Sequence, residues 1–288
     1  MQHIGQTIAK IQKMKNIKVT ELIDGIVSRS EYYRFINGQT QLAVDVFFQL
    51  LDRLHVTLDE FQYIDNDFQR SDFFLYQDKI SDLLTFKKAS ELHELSEEIK
   101  SKYGKDSNSK YQHLAIQAEL SSDLILNETH PEKAEPLVKY FDNLEYWSQY
   151  DITLFLNCIF AFSNTSIDHF LKSLMKDINN YIYFPGEMSV VVQIHIVLCF
   201  LAIVKRLLIK LDVLDTSLNQ IDLSPNQLTE RVLRDFINGA VSYFHGQLKE
   251  GLNQMNKAIE IFTKYDMRRW STRLIDMKDS VIADVPEE

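Results

Sequence analysis

The sequence predicts an all-α protein, with a small helix-turn-helix head followed by helical hairpins stacked into an α-solenoid. Three observations predict it. Glycine (8) and proline (5) are scarce in 288 residues while 45% of the residues are hydrophobic, so turn-makers are too few for a sandwich or barrel. Apolar residues recur at three- and four-residue steps, the period of a helix with one buried face. Past residue 72 the breakers are Gly104 with the polar run to Asn108, His130-Pro131, Phe184-Pro185-Gly186 and Ser224-Pro225. They stand roughly 25 to 55 residues apart, which suits hairpins stacked side by side.

The elements of the head follow in order. Over residues 4–15, Ile4, Ile8 and Ile11 line one face of a short helix, and Lys10, Lys13 and Lys15 lie outside it. A second short helix covers 19–26 around Leu22 and Ile23. Ser28-Arg29-Ser30-Glu31 is a capping box, in which the serine hydroxyl takes the Glu31 N–H and the glutamate returns to Ser28. A third helix therefore starts at Arg29, and Gly38 suits the left-handed residue that ends it. Tyr32, Phe35 and Ile36 form its buried stripe, leaving Arg29, Ser30, Tyr33 and Arg34 outside. A fourth helix runs from about Leu42 to Leu54, and Thr57-Leu58-Asp59-Glu60 caps a fifth. Five short helices with a tight link between the second and third describe a helix-turn-helix domain over residues 1–64.

Charge supports that reading. The net charge is −10, yet residues 1–40 hold six basic groups against three acids, a balance of +3 that leaves −13 on the remainder. A basic head on an acidic body fits a nucleic-acid partner for the head alone. The N-terminal half of the third helix of such a domain meets base edges, so Arg29, Ser30, Tyr33 and Arg34 are the candidates, with Ser28 opening the helix. Arg34 suits either a guanine edge or a phosphate. Asn37 and Gln39 beyond the helix, and Lys10, Lys13 and Lys15, are placed for phosphate.

The run DGIVSRSEYYRFINGQ, residues 24–39, resembles the third-helix region of the Rgg family of transcription regulators. Ser28, Ser30, Arg34, Phe35 and Gly38 match its pattern without a gap, and Ile4-Gly5 with the lysine-rich first helix also fits. The block YWSQYDITLFLNCIFAF, residues 146–162, is similar to part of the family's regulatory domain, with Trp147, Leu154, Phe155 and Asn157 in matching places. The resemblance implies an XRE-like helix-turn-helix domain, then a helical-repeat domain that binds a short hydrophobic signalling peptide, and a homodimer acting on double-stranded promoter DNA. Quorum sensing by a peptide pheromone is the role this implies. The sequence also departs from the family. A first-helix arginine that pairs with a third-helix glutamate is replaced, and the aligned positions are Gln12 and Ile36. With both partners gone, no charge is stranded. The family's other first-helix arginine aligns with Ala9.

Residues 65–72 read as a polar hinge, and 73–288 as the repeat, peptide-binding and dimerisation domain. The clearest repeat is FINGAVSYFHGQLKEGLNQMNKAIEIFTKYD, residues 236–266, whose small-residue and aromatic spacing looks like a tetratricopeptide unit. Ser224-Pro225-Asn226-Gln227 reads as a further capping box with proline at the first helical position. An extended peptide between stacked hairpins needs side-chain amides for its backbone and aromatic walls for its apolar residues. Asn157, inside an apolar helix of the matched block, is the first candidate, serving a peptide or a helix–helix hydrogen bond. Tyr150, Tyr181, Tyr183, Arg206 and Asn238 follow.

No phosphate-binding glycine loop, dinucleotide fingerprint, nucleophile elbow or zinc motif occurs, and the eight histidines lack ligand spacing. The sequence therefore predicts no enzyme, no cofactor and no metal. Cys158 and Cys199 lie in apolar runs, as core residues of a reduced cytoplasmic protein. The apolar run 190–204 falls short of the roughly 20 residues a bilayer requires, so it reads as a buried helix, His195 as a hydrogen-bonded core histidine, and no membrane as a partner. A different class stays open at this point: a helical-repeat adaptor whose head binds protein instead of DNA.

Overall fold

A computed structural model describes residues 4–104, 109–176 and 190–283 of the chain. Among the described residues there are α-helices, one 3-10 turn and no strand. The helices are α1 Ile4–Met14, α2 Val19–Ile23, α3 Arg29–Ile36, α4 Val44–Leu54, α5 Leu58–Asp65, α6 Asp72–Thr85, α7 Ala89–Tyr103 and α8 Ser109–Leu126. They continue as α9 Pro131–Asp142, α10 Gln149–Cys158, α11 Asn164–Leu174, α12 Val190–Val204, α13 Leu208–Gln220, α14 Leu228–Phe244, α15 Leu248–Lys264 and α16 Arg268–Ile282. The chain divides into two compact units, Met1–Asp78 and Lys79–Glu288, so the division falls inside α6.

In the first unit Ile8, Ile11, Leu22, Tyr32, Phe35, Leu50, Leu54 and Phe61 close one core. Ile4, read as part of the buried stripe, is instead half exposed, and Gly5 and Thr7 are buried beside Ile8. The reason is a backbone crossing: a Cβ on Gly5 would stand 2.3 Å from the Phe35 carbonyl oxygen and 2.8 Å from Ile36 Cα. Only a residue without a side chain lets α1 and α3 approach that closely. The buried Thr7 hydroxyl donates to Asp65 Oδ1 at 2.6 Å, tying α1 to the end of α5. Between α5 and α6 the Asn66 amide donates to the Gln69 and Arg70 carbonyls at 2.9 and 3.3 Å.

The second unit is built of antiparallel pairs, α7 with α8, α12 with α13 and α14 with α15. The even-numbered helices from α8 to α16 also pack one on the next, forming an inner row. One core gathers Trp147, Phe141, Phe155, Phe162 and Phe170, with the Phe141 and Trp147 rings stacked at 5.2 Å. The other gathers Phe236, Ile237, Met255, Ala258 and Phe262 of the repeat read at 236–266. There α14 and α15 approach at two small residues: a Cβ on Gly251 would meet the Gly239 carbonyl oxygen at 2.5 Å. At 224–227 the structure corrects the sequence reading. Gln227 does bond the Ser224 N–H at 2.8 Å, but Pro225 and Asn226 form a turn and α14 starts only at Leu228.

Ion pairs and hydrogen bonds join α6 and the turn after it to α16. Arg269 reaches both oxygens of Asp82, with Nη2 to Oδ2 at 2.9 Å. Arg273 donates to Thr85 Oγ1 at 3.1 Å and Ser81 Oγ at 3.0 Å, and Lys87 meets Asp276 at 2.8 Å. Among the described residues no helix is long and apolar enough to cross a membrane. His195 on α12 is partly buried with Nδ1 2.8 Å from the Val191 carbonyl oxygen.

Candidate functional site

Local rules set where α3 begins and ends. Ser28 accepts from the Glu31 N–H at 3.2 Å, so its hydroxyl serves as the N-cap. At the other end Gly38, at φ +74°, lets its own N–H reach the Phe35 carbonyl at 3.0 Å and the Gln39 N–H reach the Arg34 carbonyl at 2.8 Å. That pair of bonds is a Schellman turn. Between the two caps Tyr32 and Phe35 are buried, and Arg29, Ser30, Tyr33 and Arg34 are exposed, as are Asn37 and Gln39 after them. Burial pushes the Tyr32 hydroxyl up to about 12, so it stays protonated within the core. The Arg29 guanidinium lies 5.8 Å from the centre of the Tyr33 ring one turn on, a cation–π contact that limits its rotamers. Ser30 and Arg34 form a second row at the same spacing. A planar donor and a flat ring, already oriented on one exposed helix face, can meet a guanine edge and a thymine methyl in a major groove.

The three lysines divide. Lys10 is paired with Asp67 at 2.9 Å and lies over the Phe68 ring, so its ammonium is already committed. Lys15 lies 3.4 Å from the His55 carbonyl oxygen, and Lys13 is exposed. Gln12 donates to the Ile17 carbonyl and so closes the turn after α1. It stands two turns from the Gly5 crossing where Ile36 sits, about 10 Å along α1.

In the second unit, α10 carries Tyr150 and Asn157 two turns apart on one face. Asn157 is half-buried; the Tyr150 hydroxyl lies 2.7 Å from His113 Nδ1 on α8. Arg206 stands elsewhere. Its guanidinium donates to the Ser280 and Val281 carbonyls at the end of α16 and lies over Phe244, in the wall of an open cavity of about 400 Å³ with Leu208, Tyr243 and Leu248. Asn238 pairs with Asn219 of α13 at 2.9 Å. Tyr181 and Tyr183 lie outside the described residues. Two of the six candidates thus share a face, and three, Tyr150, Arg206 and Asn238, have structural partners of their own.

A family model settles the relationship. Residues 89–270 match the model described as the C-terminal domain of the HTH-type transcriptional regulator Rgg. The chain belongs to the Rgg family. The fold of this Rgg-family chain is also that of solved structures at low identity. A protein of Listeria monocytogenes EGD-e superposes with a TM-score of 0.76 at 19% identity, over 96% of this chain and 97% of that one. The SHP pheromone receptor Rgg2 of Streptococcus dysgalactiae gives 0.71 at 19% identity, over 96% and 99%. PrgX in its complex with cCF10 gives 0.69 at 16% identity, over 100% and 95%. Tyr150, Asn157, Arg206 and Asn238 all fall within the matched region.

Sequence reading missed a stripe on α8. His113, Gln117 and Ser121 are buried at four-residue steps, facing the α10 side, and Gln117 Oε1 and Ser121 Oγ are buried without a hydrogen-bond partner. The signal was present, since three polar residues at helical spacing inside HLAIQAELSS are out of place in a buried helix. Around His113 stand Tyr140, Tyr150 and Asp151, and the Tyr140 hydroxyl donates to Asp151 Oδ1 at 2.5 Å. Burial holds the His113 imidazolium below the usual range, with Asp151 partly opposing, and burial likewise pushes the Tyr150 hydroxyl upward.

Proposed function

We propose that this Rgg-family chain regulates transcription by reading an operator through α3, and that its repeat unit holds a short hydrophobic peptide that controls the reading. The observation that carries the proposal is the exposed face of α3, with Arg29 oriented over Tyr33 opposite the buried Tyr32 and Phe35. The peptide reading draws support from structural relatives described as a pheromone receptor and as complexes with cCF10 and iCF10. Tyr150 and Asn157 on α10 are the side chains we assign to it. Control requires the peptide to bind two arrangements of the protein with different affinity, since tight binding alone shifts nothing. A homodimer that must set two recognition helices roughly 34–36 Å apart, one DNA turn, supplies such a pair of arrangements.

The test starts with duplexes enriched from a random library by the parent protein. Alanine at Arg29 or Arg34 lowers affinity for the enriched duplex by about 1–3 kcal/mol. Lys13→Ala weakens all duplexes alike and reduces the salt slope by about one. A library that yields no enriched sequence sinks the DNA-reading function in favour of a protein-binding head. Parent-like binding by the Arg29, Arg34 double variant removes α3 from the interface. For the peptide, Asn157→Ala weakens binding of labelled hydrophobic peptides encoded near the gene, read by fluorescence polarisation, and leaves DNA affinity without peptide unchanged. A variant that titrates like the parent rejects the role of Asn157.

A further inference from the structure

α2 is five residues long and has no side-chain N-cap. A helix that short has no stability of its own, yet it must hold the start of α3 at one angle. The chain itself serves one carbonyl at its end: the Ile26 and Val27 N–H groups both reach the Ile23 oxygen, at 3.0 and 3.2 Å. Three neighbouring carbonyls are served by one side chain. Arg53, in the last turn of α4, directs Nη1 at the oxygens of Glu21 (3.1 Å), Leu22 (3.5 Å) and Asp24 (2.5 Å). A guanidinium there satisfies orphan acceptors and meets the negative end of the helix. The Asp24 oxygen belongs to the turn that leads to Ser28, so the same group grips both the end of α2 and the link to α3.

We propose that Arg53 is a positioning residue for DNA reading: it touches no base, and fixes the α2–α3 turn from which the recognition helix projects. The proposal rests on α3 being the reading helix. Two measurements on the full-length chain test it, with Arg53→Gln and Arg53→Lys. The first is amide hydrogen exchange without DNA. Exchange at Ile26 and Val27 speeds up in the Gln variant and less in the Lys variant, which keeps the charge as a point donor, while α5 keeps its protection. The second is the ratio of affinities for the enriched duplex and a scrambled one. It falls about tenfold in the Gln variant, the worth of one misaligned base contact, with the salt slope unchanged and partial recovery in the Lys variant. Unchanged exchange, or an unchanged ratio, overturns the proposal. A salt slope reduced by about one with the ratio intact makes Arg53 a phosphate contact instead. If the Gln variant does not fold, the Lys variant decides alone, and parent-like exchange in it overturns the proposal. Exchange needs no DNA, so a parent that enriches no duplex defeats the DNA-reading function without deciding the grip on the turn.

Discussion

His113 is 7% exposed, and two tyrosines and a carboxylate surround it. Burial disfavours its charged form, so the folded protein takes up this proton at lower pH than the unfolded chain does. The unfolded imidazole titrates near about 6.5. Stability linked to His113 is therefore present above that value and is lost as pH falls from it through the folded pKa. We expect the urea midpoint of the parent to drop more between about pH 7.5 and about pH 5.5 than that of His113→Gln. Equal drops would mean that this residue is not what acid attacks. Asn157 was legible as a candidate because a polar side chain stood inside an apolar block. His113 carried a signal of its own in its spacing with Gln117 and Ser121, but its surroundings are made by α9 and α10, whose approach no local spacing records.

The helices α3, α5, α10 and α11 start on side-chain caps, and the α1–α3 and α14–α15 crossings depend on missing side chains. The caps at Ser28, Gly38 and Thr57 could be read directly, since each is a local rule, and the structure forms the Gly38 ending and, of the boxes at Ser28 and Thr57, the half in which the hydroxyl accepts from the Glu31 and Glu60 N–H groups. The start of α14 could not, because Gln227 completes half of the expected box while closing a turn before the helix. Nor could the depth of Gly5, which depends on where the Phe35 carbonyl arrives. An exposed helical glycine changed to alanine gains about 1 kcal/mol. At Gly5 the added methyl meets backbone that cannot rotate away, so the sign reverses: we expect Gly5→Ala to destabilise the first unit by about 1–3 kcal/mol. Urea unfolding followed by hydrogen exchange in α1 and α3 measures it, and a stabilised variant would show that the two helices do not cross there.

Across the molecule, charge and breaker spacing predict a basic head, a hinge over 65–72 and a hairpin array, whereas the two compact units divide after Asp78, inside α6. The pairing of α6 with α16 was not legible: Asp82 and Arg269 are 187 residues apart, and such a contact leaves no period behind. Arg269 holds the Asp82 carboxyl below its ordinary range. Because both side chains are partly exposed, we expect Asp82→Asn to cost roughly 1 kcal/mol, toward the upper end for an exposed pair because the contact is bidentate. Its signature is faster hydrogen exchange in both α6 and α16, with the aromatic core around Trp147 protected as before. Faster exchange in α16 alone would mean that α6 is held by other contacts. Arrays of repeats touch only their neighbours and come apart from the ends. Here the terminal helices are fastened to each other. Tension applied between residues 79 and 283 therefore bears first on the bonds from Ser81, Asp82, Thr85 and Lys87 to α16. Until those bonds part, the intervening helices carry no load, and when they part they are released together.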